Sequence, residues 1–311
     1  MSFASVGKEA LKQGEYPLWN PYIFCGMPSF SSLAYTPYVY PVSYITHILH
    51  TYLHFPQMTW LLFHYIMAGI GVYLLLITLG VGSVVATIAG ILFMLMPNYI
   101  AMGAHGHGSQ ASAIAYMPFV LLLVYRIFNG KRPLIFASLL GIVLGFQLLR
   151  GHVQISYYTF LLVALVSIFE IIYLWKEGKK QRAIKLSSYV LLSVVAAFGV
   201  AAVLVFPVKS YSVYSIRGAG GGGLSYGYAT SWSLGVGEIL TFIFPWAYGF
   251  GKHTYFGAMP FTDYPNYLGV ATVLFALFAL LFSKHRWKLL LVLMVLKSQV
   301  RLLLKWIKTN S

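Results

Sequence analysis

The chain has 311 residues, of which 59% are hydrophobic and only 9% are charged. A water-soluble domain carries about 25% charged residues, so the composition excludes an ordinary soluble globular protein. The formal net charge of +15 does not indicate a nucleic-acid partner, because no soluble module with a basic face is visible. Cys25 is the single cysteine, which excludes an intramolecular disulfide and a cysteine-based metal site.

Long apolar blocks separated by short polar loops run through most of the chain. Each block holds about 20 residues, the length at which an α-helix crosses the hydrocarbon core of a bilayer. Because lipid offers the backbone no hydrogen-bond partner, these blocks should be helices. The sequence predicts an all-α, polytopic helical membrane protein with spans at 58–79, 83–102, 111–125, 133–149, 154–175, 186–207 and 266–283.

The predicted spans divide the chain into three regions. Residues 1–57 form a loop region on the outer face, the remnant of a first outer loop that should follow a missing first helix. Residues 58–288 form the transmembrane domain, which includes a long outer loop at 208–265. Residues 289–311 are a further segment, in which Lys297, Arg301, Lys305 and Lys308 recur every three or four positions and favour a basic amphipathic helix or a partial span. The chain is therefore expected to be truncated at both ends.

The basic residues predict the orientation. Three short loops hold eleven of them, and such loops face the cytoplasm. The segments 1–57, 103–110, 150–153 and 208–265 then lie on the opposite face. Tryptophans in or beside these segments favour anchoring at the headgroup level over sugar stacking. The basic residues are Arg126, Lys131, Arg132, Lys176, Lys179, Lys180, Arg182, Lys185, Lys284, Arg286 and Lys288, and the tryptophans are Trp19, Trp60, Trp232 and Trp246.

Few carboxylates could act on the predicted outer face. Glu9 and Glu15 belong to a solvated amphipathic segment, and Glu15 is only a weak catalytic candidate. Glu238 opens an apolar stretch that is too short to span, where an acid near a helix N-terminus is also a common cap. Asp263 lies among turn residues, so a turn-forming role competes with a role as a base.

Two outer turns carry clustered polar side chains. The loop GAHGHGSQ at 103–110 contains His105, His107 and Gln110, and it is either a polar ligand site or an ordinary flexible loop. Two histidines at this spacing are a weak metal signal, and no metal site is predicted.

The second turn lies in the segment QLLRGHVQISYY at 147–158 and contains Arg150, His152, Gln154 and Tyr157. Polar groups at the end of a span are costly unless they are used or paired, and the planar fork of arginine suits phosphate. This turn therefore favours a functional site.

Four collinear stretches resemble the YfhO-like bacterial membrane proteins, whose architecture is related to the GT-C class of polyprenyl-phosphate-dependent glycosyltransferases. The stretches are PLWNPYIFCGMPSF (17–30), GHGSQASAIAYMP (106–118), RGHVQISYY (150–158), and the pair YATSWSLGVGEILTFIFPWAYGF (228–250) and YFGAMPFTDYPNYLG (255–269).

The resemblance implies a GT-C-like fold in the bacterial cytoplasmic (inner) membrane. It implies an enzyme that moves a sugar from a polyprenyl-phosphate carrier to a cell-envelope acceptor on the non-cytoplasmic face. The cofactor implied is at most a divalent metal ion.

The resemblance also implies a catalytic acid that this sequence does not contain. In the GT-C class an acid in the first outer loop acts as base or metal ligand. No Asp lies between Met1 and the motif PLWNP, and Glu15 lies at a different offset from that motif. We therefore expect the catalytic Asp to lie before Met1, and no residue of the chain inherits its role.

With this donor in view, we expect Arg150 and His152 to hold the carrier phosphate, because a cation and neutral donors suit a phosphate at the interface. His105 and His107 would lie near the sugar or the acceptor, with Gln110, Gln154 and Tyr157 as further substrate-binding residues.

Two alternatives stay open. A transporter or flippase of a lipid-linked solute also needs polar groups at helix breaks, but it predicts inverted repeats and charges near the bilayer midplane, and neither is visible. A non-catalytic membrane scaffold follows from the missing acidic residue.

Overall fold

The computed structural model describes residues 3–33, 39–215, 227, 230–231, 233–249, 251, 253–260, 262 and 266–282. Within these ranges the only strands are two residues long and pair antiparallel, and the rest of the regular structure is helical. The prediction of an all-α membrane protein is confirmed, and the GT-C-like architecture stays a prediction. The strands are β1 (Trp19–Asn20) and β2 (Met27–Pro28).

Twelve α-helices and one longer 3-10 helix, at Gly237–Phe242, lie within the described residues. The α-helices are α1 (Phe3–Lys12), α2 (Pro41–Leu53), α3 (Thr59–Thr78), α4 (Ser83–Met94), α5 (Pro97–Ala104), α6 (Gly108–Ile114), α7 (Met117–Asn129), α8 (Pro133–Leu149), α9 (Val153–Lys176), α10 (Lys180–Val200), α11 (Ala202–Ser212) and α12 (Val270–Phe282).

Within the part of the chain that the structure describes, five helical segments are long and apolar enough to cross a membrane, as in a multi-pass membrane protein. Two further predicted spans are shorter: α8 has 17 residues and α12 has 13. The segment 289–311 lies outside the described residues. The five long segments are Thr59–Thr78, Ser83–Ala104, Gly108–Asn129, Val153–Lys176 and Lys180–Val200.

Some boundaries differ from the predicted ones for identifiable reasons. The span predicted at 83–102 is interrupted between α4 and α5, because Pro97 disfavours helical backbone at Met96, whose ψ is 126°. The span predicted at 186–207 begins earlier, at Lys180, and α10 ends at Val200 before α11 continues. Pro97 could have shown the first break, whereas apolar content alone hides the second.

Contacts between residues divide the chain into two compact units. The first unit comprises 1–94 and 107–224 and contains α1–α4 and α6–α11. The second unit comprises 95–106 and 225–311, and its described helices are α5, the 3-10 helix and α12.

In the first unit, glycines allow α8 and α10 to approach closely. Gly141 and Gly145 form a GxxxG pair on α8, and an added Cβ at Gly145 would lie 2.7 Å from the Cβ of Val200. The Ser193 hydroxyl on α10 also donates to the Ala137 carbonyl at 2.7 Å. Small residues and interhelical hydrogen bonds hold helices together in lipid, where apolar burial provides no driving force between them.

The same principle applies to α3 and α4. A Cβ added at Gly90 would lie 2.7 Å from the Gly69 carbonyl oxygen, so the two backbones are in near contact. Side chains such as Ile70 and Val85 are at least half-exposed on these helices, as expected where a helix faces lipid.

The basic segments of the first unit lie together at one end of its helices. Arg182 donates to the Phe128 carbonyl at 3.3 Å, and the Asn129 amide donates to Glu170 at 3.4 Å. These contacts bring the basic segments 126–132 and 176–185 to one end, which we call the basic end, in agreement with the predicted arrangement. The third basic loop, 284–288, lies outside the described residues.

We call the opposite end, where α8 ends and α9 begins, the Arg150 end. A buried apolar cluster lies there and joins the N-terminal segment to the helices. It includes Phe30, Tyr40, Val42, Tyr116, Leu149, Ala201 and Leu204.

Substituting Gly145 with Leu should destabilise the first unit, because the larger side chain would force α8 away from Val200. We expect the free energy of unfolding in mixed micelles to fall by roughly 1–3 kcal/mol. The matched control is Gly199→Leu on α10, where an added Cβ meets no heavy atom within 4 Å. Equal effects of the two substitutions would contradict close packing at Gly145.

Candidate functional site

Arg150 lies in the tight turn that reverses the chain between α8 and α9. The Arg150 and Gly151 amides donate to the Gln147 and Leu148 carbonyls at 3.1 and 2.9 Å, which closes the end of α8. Gly151 has a φ of 70°, a left-handed conformation that favours glycine. The next residue, His152, is the N-cap of α9. The turn therefore fixes a guanidinium at the point where one helix ends and the next begins.

The Arg150 guanidinium lies against two aromatic rings. Its Cζ is 4.6 Å from the centroid of Tyr40 and 5.6 Å from that of Trp60, which are cation–π distances. Its Nε donates to the Ser112 hydroxyl at 2.7 Å, and that hydroxyl donates to the Gly108 carbonyl at 2.7 Å. The protein thus holds the guanidinium through two ring contacts and one hydrogen bond from Nε.

No carboxylate balances this charge among the residues that the structure describes. The ion pairs found there, Lys12–Glu9 and Lys179–Glu177, involve other cations and are largely exposed. Burial lowers the pKa of Arg150 below its usual range, so a cation is desolvated with no anion beside it among the described residues. Arginine stays protonated in proteins, and the site therefore favours an incoming anion.

A buried polar network positions the Tyr40 ring beneath Arg150. The His64 Nδ1 lies 2.5 Å from the Trp60 carbonyl oxygen, and since a carbonyl only accepts, Nδ1 carries the proton. The Nε2 atom then accepts from the Tyr40 hydroxyl at 2.7 Å, and Tyr40 in turn accepts from the Tyr116 hydroxyl. Tyr40, His64 and Tyr116 are all at most 4% exposed, so the network is closed to solvent.

Gln147 stabilises the same turn through buried hydrogen bonds to two neighbouring helices. Its side chain is fully buried, and its amide nitrogen donates to the Ala113 carbonyl at 2.8 Å and to the Thr159 hydroxyl at 2.9 Å. These bonds connect α8 to α6 and α9. Because Gln147 lies three residues before Arg150, they fix the backbone that carries the guanidinium.

His152 and His107 lie close enough to interact. The His152 Nδ1 accepts a hydrogen bond from the Ile155 amide at 3.3 Å, so the ring caps α9 in its neutral form. Burial lowers the pKa of His152, and the neighbouring His107 shifts that pKa in the same direction. A neutral His152 keeps its Nε2–H as a donor. Arg150, His152 and His107 thus belong to one unit and two adjoining turns.

The other predicted binding residues have separate surroundings. His105 belongs to the second unit, is exposed, and its Nδ1 donates to the Ala101 carbonyl at 2.9 Å. Gln110 is half-buried on α6. Gln154 is exposed on the first turn of α9 and donates to the Tyr158 hydroxyl at 2.9 Å, and Tyr157 is 54% exposed beside it. Of the predicted binding residues, His107 and His152 interact, and Arg150 lies in the same turn as His152.

The catalytic candidates occupy different settings. Glu15 is exposed after α1, and Asp263 lies outside the described residues. Glu238 is 2% exposed and accepts hydrogen bonds from the Tyr255 hydroxyl and the Gly235 amide. Burial and the adjacent Glu238 raise the pKa of Tyr255 to about 12, so Tyr255 stays a donor. Glu238 therefore organises the described part of its loop.

The catalytic Asp expected before Met1 has no counterpart in this structure. Met1 itself lies outside the described residues, which begin at Phe3. The position of that Asp therefore stays a prediction. No group of three His, Cys, Asp or Glu side chains within the described ranges could hold a metal ion.

Several residues around Arg150 were not predicted from the sequence. These are Tyr40, His64, Ser112 and Tyr116, and Trp60 was assigned only to interface anchoring. One signal was present: His64 is an imidazole inside the first long apolar span, where a polar side chain is costly unless it has a partner.

Substituting Tyr40 with Phe should destabilise the protein, because it removes the hydroxyl that pairs with both His64 and Tyr116. Two buried polar groups would lose a partner, at a cost of roughly 1–3 kcal/mol in the free energy of unfolding. Tyr52→Phe is the control, since Tyr52 is 73% exposed. If both variants unfold alike in mixed micelles, the network contributes nothing to stability.

Substituting His152 with Asn should make stability less dependent on pH. The folded-state pKa of His152 lies below the ordinary value of 6.5, so the unfolded chain takes up its proton first as the pH falls. The stabilising contribution is present above about pH 6.5 and is lost as the pH falls toward the folded-state pKa. Asn caps a helix without titrating.

The measurement is the free energy of unfolding between about pH 7.5 and pH 5, a window set by the ordinary histidine pKa. The slope should be shallower in His152→Asn than in the unmodified protein. Gln13→Asn, which exchanges one amide for another at an exposed position after α1, should leave the slope unchanged. An unaltered slope in His152→Asn would exclude the neutral cap.

Comparison of the chain with protein families, with characterised proteins and with solved structures found no match. The likeness to the YfhO-like proteins therefore stays a prediction from the quoted motifs.

Proposed function

We propose that this chain is a GT-C-like membrane glycosyltransferase of the YfhO-like type. In this proposal it moves a sugar from a polyprenyl-phosphate carrier to a cell-envelope acceptor on the non-cytoplasmic face of the bacterial inner membrane. The observation that carries the proposal is the Arg150 guanidinium, which is desolvated, held over two rings and left without a carboxylate among the described residues.

The free part of the guanidinium suits a phosphate group. Nε is bonded to Ser112, whereas neither Nη group has a hydrogen-bond partner among the described residues. Arg150 is half-buried and is not sealed off from a ligand. Two parallel N–H groups match two phosphate oxygens, and such charge-assisted pairs are among the stronger hydrogen bonds in proteins.

The surroundings of Arg150 add neutral donors and a favourable dipole. His152 offers its Nε2–H, since its Nδ1 is used in capping α9. The N-terminus of the 24-residue helix α9 begins one residue later, and helix N-termini favour anions. A lipid phosphate lies at the end of spanning helices, which is where the turn between α8 and α9 is found.

The charge change of the reaction explains why a cation is useful. The acceptor hydroxyl oxygen forms a bond to the anomeric carbon, the bond from that carbon to the phosphate oxygen breaks, and the hydroxyl proton passes to a base. The carrier changes from a phosphodiester to a phosphomonoester, so negative charge grows on the phosphate. A preorganised cation stabilises charge that develops in the transition state. The proposed residues for the sugar and the acceptor in the first unit are His107, Gln110, Gln154 and Tyr157.

The test compares Arg150→Ala with Arg126→Ala in lipid nanodiscs. Arg126 also stacks on a ring, with its Cζ 4.9 Å from the Phe136 centroid, but it lies at the basic end. We expect Arg150→Ala to weaken the binding of polyprenyl phosphate by about 10- to 100-fold, since a hydrogen bond to a charged group contributes about 1.5–3 kcal/mol. Arg126→Ala should bind as the unmodified protein does.

The chain alone is expected to be inactive if its catalytic Asp lies upstream, as the resemblance implies. The second measurement is therefore transfer of an isotope-labelled sugar from the carrier to a membrane acceptor, with the chain expressed together with that upstream segment. Transfer that depends on Arg150 supports the glycosyltransferase. Binding with movement of the carrier between leaflets and no product would indicate the transporter or flippase, and binding with neither would indicate the scaffold. Unchanged binding in Arg150→Ala would rule out the phosphate site itself.

A further inference from the structure

The hairpin at residues 18–28 presents large apolar side chains that the protein leaves uncovered. Phe24 at its tip is 85% exposed, an unusual degree for a phenylalanine. The stretch from Tyr16 to Thr46 contains no Asp, Glu, Lys or Arg. The uncovered side chains on this hairpin are Leu18 (62%), Trp19 (55%), Tyr22 (62%) and Phe24 (85%).

The hairpin is preformed. β1 and β2 pair antiparallel, with Asn20 opposite Met27, and the Asn20 side-chain oxygen accepts from the Tyr22 amide at 2.9 Å. Phe24 and Cys25 have φ values of 51° and 60°, in the left-handed region that side chains with a Cβ disfavour. Local hydrogen bonds therefore stabilise a strained turn, and in this turn the Phe24 ring points away from the protein.

The stem of the hairpin is anchored at the Arg150 end. Phe30 follows β2, is 6% exposed, and belongs to the buried cluster that contains Tyr40, Tyr116 and Leu149. The Tyr16 ring also contacts Phe30 edge-on at 5.7 Å. Because Leu149 ends α8, this cluster lies at the level where that helix ends. The hairpin thus leaves the helices at the level of the membrane interface.

We propose that the tip of this hairpin inserts into the headgroup region of the protein's own membrane, in the leaflet at the Arg150 end. Trp and Tyr favour this depth because one part of each side chain is apolar and the other polar. The absence of charged residues removes the desolvation cost of insertion, and the preformed turn reduces the ordering cost. The partner is a lipid surface, and this inference does not depend on the proposed reaction.

The sole cysteine provides the probe. Cys25 is exposed and lies between Phe24 and Gly26 at the tip, so a thiol-reactive fluorophore reports the depth of the hairpin without any substitution. The labelled protein is placed in nanodiscs at one copy per disc. We expect strong quenching by lipids that carry a spin label near the headgroup and weak quenching by aqueous iodide.

The control moves the cysteine to an exposed polar position, in the double variant Cys25→Ser with Gln13→Cys. Gln13 follows α1 between Lys12 and Glu15. Its label should show the reverse pattern, with iodide quenching severalfold stronger than at Cys25 and little effect of the lipid quencher. The variant Phe24→Ser, labelled at Cys25, should shift toward the control pattern because the tip loses its most exposed ring.

Three results would overturn the inference. Iodide quenching at Cys25 equal to that of the control would place the tip in water. Protection from both quenchers in single-copy discs would mean that the chain itself covers the tip. Lipid quenching that appears only when discs hold two copies would assign the hairpin to an interface between copies.

Discussion

The first unit depends on how a single desolvated cation is accommodated. Taking a charge out of water is costly, and a protein normally compensates with a carboxylate or with several hydrogen bonds. Arg150 instead has two aromatic faces and the Ser112 hydroxyl. Each of these partners needs its own support, and Tyr40 receives it from His64 and Tyr116. The charge therefore accounts for the neutral polar groups that are buried beside it, among them Tyr40, His64 and Tyr116.

The packing of the helices places these partners. Glycine contacts hold α3 against α4 and α8 against α10, where lipid would otherwise separate the helices. With the helix axes fixed, the end of α8 and the beginnings of α3, α6 and α9 converge around Arg150. Gln147 then connects three of these elements through its amide. Close packing between helices and polar contacts at the helix ends thus have complementary roles. The proposed phosphate would add the missing anionic partner to the polar contacts around Arg150.

Much of the fold follows from local sequence, and much of the site does not. Apolar length predicted the five long spans, and the isolated charge in an apolar turn identified Arg150. Tyr40 and Tyr116 are 76 residues apart, and no periodicity predicts that their hydroxyls meet. His107 and His152 were predicted to bind the substrate, but their proximity to each other depends on how α6 and α9 begin. The sequence indicates where a polar side chain is costly to desolvate. Only the fold shows which partners compensate that cost.

The central claim is that an anionic phosphate completes the environment of Arg150. The most direct measurement is an experimental structure of the chain in lipid nanodiscs with polyprenyl phosphate added. The account predicts a phosphate within hydrogen-bonding distance of the Arg150 Nη atoms, with Tyr40 and Trp60 still beneath the guanidinium. A carboxylate side chain paired with Arg150, with the phosphate elsewhere, would contradict it.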